Sequence, residues 1–140
     1  MEVSLFDGTR KRCKKIQCYT FEEAEQLLNE CALKPLALLY FNWDYENYPE
    51  LSVSVNGRLA TLRYFDNEEQ VRYGRFGAEL SMWISKGGHN GKVSFLSGDG
   101  SKTSLTDGED IVSLEDAIEC VKRFFDDGEL PECIEWERLT

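Results

Sequence analysis

The sequence is poor in the residues that most enzyme chemistry needs. Its 140 residues include one histidine, His89, set in a Gly/Asn-rich turn. No Gly-x-Ser-x-Gly elbow surrounds any serine, so a serine nucleophile has no local signature. A Cys–His couple would require a cysteine folded onto the His89 loop. Cys31 and Cys120 instead fall on apolar helical stripes, where burial accounts for them. Cys13 and Cys18 have the spacing of half a zinc site, with no second pair and no histidine cluster to complete it. There is no Asp-x-Asp-x-Asp-Gly calcium loop, and Gly74, Gly77, Gly87, Gly88 and Gly91 match neither phosphate-binding pattern. The sequence therefore predicts no catalytic residue, no cofactor and no metal.

Long apolar runs are also missing. The longest is Leu36 to Phe41, far short of the ~20 residues that span a bilayer. Met1 to Asp7 lacks the basic start and apolar stretch of an export signal. The five cysteines are odd in number and irregular in spacing, which predicts free thiols and a cytoplasmic protein. Only Pro35, Pro49 and Pro131 occur, and no Pro/Ser-rich linker divides the chain, so a single domain over 1–140 is expected. Apolar residues at 41% and charged residues at 30% are enough to build one core.

What the chain does have is negative charge. It carries 16 basic and 26 acidic residues, for a net charge of −10. The imbalance is uneven, because residues 1–15 are +3 and the remaining 125 are −13. Five of the six residues from Arg10 to Lys15 are basic. They read either as a nucleic-acid patch or as a solvated edge strand whose lysines block aggregation, and the acidic body favours the edge strand. Membrane and nucleic acid are not expected partners, whereas a basic protein is.

Two helices are marked by their caps. Thr20-Phe21-Glu22-Glu23 is a capping box, and Phe21, Ala24, Leu27, Leu28 and Cys31 follow as one apolar stripe. Ser113-Leu114-Glu115-Asp116 opens the second helix, with a stripe of Leu114, Ala117, Ile118, Val121, Phe124 and Phe125. Gly128 supplies its left-handed stop and Pro131 follows. Strands are predicted at 36–41, 51–55, 58–65, 79–85, 92–96 and 101–105, with short ones at 111–112 and 133–136. Asn56-Gly57 reads as a two-residue hairpin turn pairing Val55 with Arg58, Val53 with Ala60 and Leu51 with Leu62. Residues 87–91 and 97–100 read as the turns between later strands. The expected fold class is α+β: a mostly antiparallel meander sheet with two main helices packed on one face.

Two stretches are unusual for connections. Asn42 to Glu50 places Trp43, Asp44, Tyr45, Glu46 and Tyr48 where small polar residues would suffice. Its aromatics either anchor a partner, with the carboxylates steering a basic surface, or fold back onto the core. Asp126-Asp127-Gly128-Glu129 places carboxylates at the negative end of a helix dipole, a small local cost that can mark a functional surface. A further acidic cluster, Asp66-Asn67-Glu68-Glu69, follows the hairpin.

The segment Ser113 to Glu137 resembles the closing motif of the first immunity-protein family of bacterial polymorphic toxin systems. There a capped helix ends in a Phe and an x-x-Gly-x-x-Pro exit, and the chain finishes on a Trp-Glu pair. Phe124, Gly128, Pro131, Trp136 and Glu137 stand at those positions. Upstream, the capped helix, the strand after it and the Asn-Gly hairpin follow in the family's order. The resemblance implies an α+β immunity protein, cytoplasmic and encoded beside a toxin gene, the toxin frequently being a nucleic-acid deaminase. It implies no catalytic residue. Together with the acidity it predicts a non-enzymatic inhibitor that occludes the basic cleft of a cognate toxin domain. Trp43, Tyr45 and Tyr48 are the expected anchors, and Asp44, Glu46, Asp66, Glu68 and Glu69 the expected partners of toxin Lys or Arg. The alternatives are a small nucleic-acid-binding module acting through residues 10–15, or an enzyme using carboxylates or a Cys–His couple.

Overall fold

The structure is a computed structural model that describes residues 1–7, 13–43, 49–66, 82–98 and 100–139. Its strands are β1 (Glu2–Asp7), β2 (Lys14–Gln17), β3 (Ala37–Asn42), β4 (Glu50–Asn56), β5 (Leu59–Phe65), β6 (Met82–Lys86), β7 (Val93–Ser97), β8 (Lys102–Thr106), β9 (Val112–Ser113) and β10 (Glu135–Leu139). The helices are α1 (Phe21–Cys31) and α2 (Leu114–Asp127), and a 3-10 turn covers Gly108–Asp110. The large sheet runs β10-β6-β5-β4-β3-β1-β2, with β9 added beside β5 and every pairing antiparallel. This is the expected α+β class.

Both helices lie on one face. Val3, Leu5, Ala37, Leu39, Phe41, Leu51, Val53, Val55, Ala60, Leu62 and Tyr64 point to it in register and bury against Ala24, Leu28 and Cys31 of α1 and Ala117, Cys120, Val121 and Phe124 of α2. Each helix starts at its predicted cap. Thr20 Oγ1 accepts the Glu23 N–H at 3.3 Å and Ser113 Oγ accepts the Asp116 N–H at 3.1 Å. The Glu23 carboxylate accepts the N–H of Tyr19, one residue before the cap. β2 and β3 are parallel with β1 between them, so α1 is the crossover such an arrangement requires.

Several sequence expectations need correction. β1 was not among the predicted strands, although Val3 and Leu5 alternate around Ser4. The hairpin turns one residue later than Asn56-Gly57 suggests: Asn56 pairs with Leu59, Val55 with Ala60, Val53 with Leu62 and Leu51 with Tyr64. Gly57, at φ 61°, becomes the first turn residue. The Asn56 side chain donates to the Ser94 carbonyl at 3.0 Å, which holds Asn56 in the strand. The apolar face is unchanged because the slip moves every pair by two.

β7 and β8 leave the meander and form their own two-stranded sheet over the second face. Their turn is the predicted one at 97–100, with Gly98 at φ 66° and Gly100 at φ 81°. Residues 87–91 cross between the two sheets and do not close a hairpin. Ser54 Oγ donates to the Leu96 carbonyl and Tyr40 Oη to that of Gly98, while Phe95 and Leu96 are buried. The serines of β4 are therefore covered. Lys14 and Lys15 lie on the outermost strand, the position of edge-blocking lysines. Among the described residues no helix is long and apolar enough to cross a membrane.

The crossing after β6 is tight. Gly87 N–H donates to the Glu109 carbonyl at 2.7 Å, and a Cβ on Gly87 would lie 1.8 Å from the Ile111 carbonyl oxygen. A Cβ on the neighbouring Gly88 would meet nothing within 4 Å. Gly87→Ala should therefore destabilise by roughly 2 kcal/mol or more, while Gly88→Ala leaves the melting temperature near wild type. Thermal denaturation of the two variants side by side measures the difference.

Candidate partner interface

The residues of the closing motif are held by one another and by their neighbours. Gly128 sits at φ 71°, in the left-handed conformation, and its N–H donates to the Phe124 carbonyl at 2.9 Å. The Phe124 ring meets Trp43 and Tyr64 edge-on, with centroids 6.0 and 6.2 Å away. Tyr64 Oη donates to the Gly128 carbonyl at 2.9 Å. Beyond the turn, Trp136 Nε1 donates to the Pro131 carbonyl at 2.6 Å. Glu137 pairs with Lys86 at 3.4 Å, and Lys86 also bonds Asp110 at 2.8 Å. The bond to Asp110, with Glu109 and Glu137 nearby, raises the Lys86 ammonium above its ordinary range. Lys86 and Glu137 thus tie β10 to β6, while the Tyr64 and Phe124 contacts tie the helix exit to the C-terminal end of β5.

Two of the predicted contact residues lie at this end. Trp43 is half-buried, and a Cβ on Gly128 would come within 3.1 Å of its ring. Of the two readings of the aromatic loop, Trp43 follows the one in which the ring folds onto the core. Asp66 is exposed just past β5. Asp44, Tyr45, Glu46, Tyr48, Glu68 and Glu69 lie outside the described residues.

The sequence reading omitted Asp127 and Glu129 from the contact set. Burial, then Asp66, Glu129 and Asp127, push the Tyr64 hydroxyl up to about 12. Carboxylates from just past β5 and from the exit of α2 therefore act on one point. Asp126, Asp127, Glu129 and Glu132 line a shallow recess of about 250 Å³ with Arg123, Leu130 and Pro131. The last turn of α2 holds no basic residue to offset them. Their position at the dipole's negative end was the signal available in the sequence. Asp127 Oδ1 accepts the Glu129 N–H at 2.9 Å, so one of these carboxylates also stabilises the exit.

A second cleft, of about 420 Å³, brings together residues far apart in sequence: Lys86, His89, Asp116 and Cys133. It places a cysteine and the histidine on one surface. Among the described residues no hydrogen bond joins the His89 ring to Cys133; the Cys133 sulfur lies instead 3.2 Å from that of Cys120. Also among the described residues, no group of three or more His, Cys, Asp or Glu is placed to hold a metal ion. No family model matches the chain, and no curated protein matches it at a significant level.

Two substitutions probe this end of the sheet. Tyr64→Phe leaves the Gly128 carbonyl without its buried donor and should cost about 1–2 kcal/mol in denaturant unfolding. Glu50 opens β4 beside Asn42 and Phe65, and burial, partly offset by Lys15, raises its carboxyl from 4.5 to about 7. A folded value above the unfolded one favours folding fully below about pH 4.5, and that contribution is lost as the pH rises through 7. Glu50→Gln should match wild type near pH 4.5 and melt several degrees higher at pH 8, as followed by thermal denaturation at both pH values.

Proposed function

We propose that this chain is an immunity protein that binds a cognate bacterial toxin domain and neutralises it without transforming any substrate. The toxin in this reading acts on nucleic acid, as deaminase-type toxins do, and offers a basic cleft shaped for phosphates. The observation that carries the reading is that each motif mark has a structural partner: Gly128 with Phe124 and Tyr64, Pro131 with Trp136, and Glu137 with Lys86. These contacts hold the helix exit and the root of β10 in place. That construction presents Asp66, Asp126, Asp127 and Glu129 on a fixed frame, and a preformed acidic surface needs little ordering on binding. A net charge of −10 steers such a surface toward a basic partner. Cytoplasmic location and the absence of catalysis belong to the same proposal.

The test begins with the toxin domain encoded beside this gene. Co-expression should yield a 1:1 complex and protect the host; no complex and no protection would overturn the reading. Asp66→Asn, Asp127→Asn and Glu129→Gln combined should slow association about tenfold at low salt and under about twofold at high salt. An unchanged low-salt rate in stopped-flow would remove this end of the molecule as the steering surface.

A further inference from the structure

Two cysteines that are separate in the sequence reading meet in the structure. Cys120 faces the sheet from α2 and is fully buried. Cys133 lies in the turn between Pro131 and β10, is only partly buried, and lines the cleft beside His89 and Ser113. Their sulfurs are 3.2 Å apart across 13 positions of chain. A disulfide needs about 2.05 Å. The missing ångström falls to residues 132–134, which belong to no helix or strand, so α2 need not move. Two thiols alone do not make a structural zinc site, which takes four ligands. Cys18 and Cys31 are buried in the main core, and Cys13 is exposed near the far edge of the sheet.

We propose that Cys120 and Cys133 are a redox couple that closes to a disulfide when the chain meets a low-molecular-weight disulfide such as oxidised glutathione, stapling α2 to the root of β10. Cys133 is the entry point because it reaches the cleft. It gives its proton to solvent, and its thiolate attacks one glutathione sulfur, breaking that S–S bond and releasing one glutathione thiolate. Cys120 then attacks the Cys133 sulfur of the mixed disulfide, loses its proton and displaces the second glutathione. Two protein thiols are oxidised to one disulfide, and one glutathione disulfide is reduced to two thiols. Burial, with Cys133 alongside, holds the Cys120 thiol far above its ordinary range, so Cys120 is not the entry point, and its attack on the adjacent mixed disulfide is the slow step of closure.

The full-length chain and its Cys13→Ser variant are incubated with oxidised glutathione, unfolded, alkylated, digested with trypsin and analysed by mass spectrometry. Lys122 and Arg123 separate the two cysteines into different peptides, so a link between them is read directly. The expected result is a Cys120–Cys133 cross-linked pair with the mass of two hydrogens lost, reversed by dithiothreitol. The oxidised form should also melt several degrees higher. Cys120→Ser should accumulate a glutathione adduct on Cys133, whereas Cys133→Ser should show none on Cys120. If both cysteines of the wild type alkylate as free thiols while Cys13 is fully modified, the proposal is overturned. A stable Cys133 adduct in the wild type, with no closure, overturns it equally.

Discussion

A residue without a side chain fixes the geometry at one end of this molecule. At φ 71°, Gly128 turns the chain out of α2 in a conformation that costs an L-residue with a Cβ roughly 1–2 kcal/mol. A Cβ here would also press on the Trp43 ring at 3.1 Å. Because the turn is left-handed, the Gly128 carbonyl faces the Tyr64 hydroxyl, and β5 is tied to the helix end. The same turn sends the chain to Pro131, whose carbonyl takes the Trp136 N–H and so positions β10 along β6. Lys86 then clasps Glu137 and Asp110 together. The placement of one sheet edge thus follows from how one helix stops.

Much of this was legible in the sequence, and the illegible parts share a physical cause. Thr20 and Ser113 announced both helices because a cap is a local interaction, decided within four residues. The apolar stripes told which side of each helix is buried. Asn56-Gly57 announced a hairpin and its correct inner face, but not its register. The register is held by a bond from Asn56 to Ser94, 38 positions away. Ser52 and Ser54 alternate with Leu51, Val53 and Val55 as if facing water, yet they are only 5% and 7% exposed beneath β7 and β8. Nothing local says that a later hairpin will lie across them. In the candidate interface, the motif residues and the acidic helix end were visible. The convergence of Asp66 with Glu129 on Tyr64, and of Cys133 with Cys120, is a property of topology.

The acidity of the helix end is consistent with a surface kept for something other than stability. Carboxylates in a last turn oppose the helix dipole by a few tenths of a kcal/mol each. Asp127 recovers part of that by bonding the Glu129 N–H, but Asp126 and Glu129 have no comparable return among the described hydrogen bonds. The helix start is the reverse, with Glu115 and Asp116 at the positive end and Glu115 paired to Arg58. Charge is thus matched to the dipole at the start of α2 and mismatched at its end, where the proposed partner would bind.

The cysteine pair spans the same stretch that the noncovalent contacts hold. Residues 120–133 contain the end of α2, the Gly128 turn and Pro131, and they carry Asp126, Asp127 and Glu129. A covalent link across a segment already set by Tyr64 and Trp136 has little geometry left to change. Its main effect falls on the opened states of that segment, which a crosslink restricts more than it alters the closed one. Oxidation would therefore act on how long the acidic end stays formed rather than on its shape.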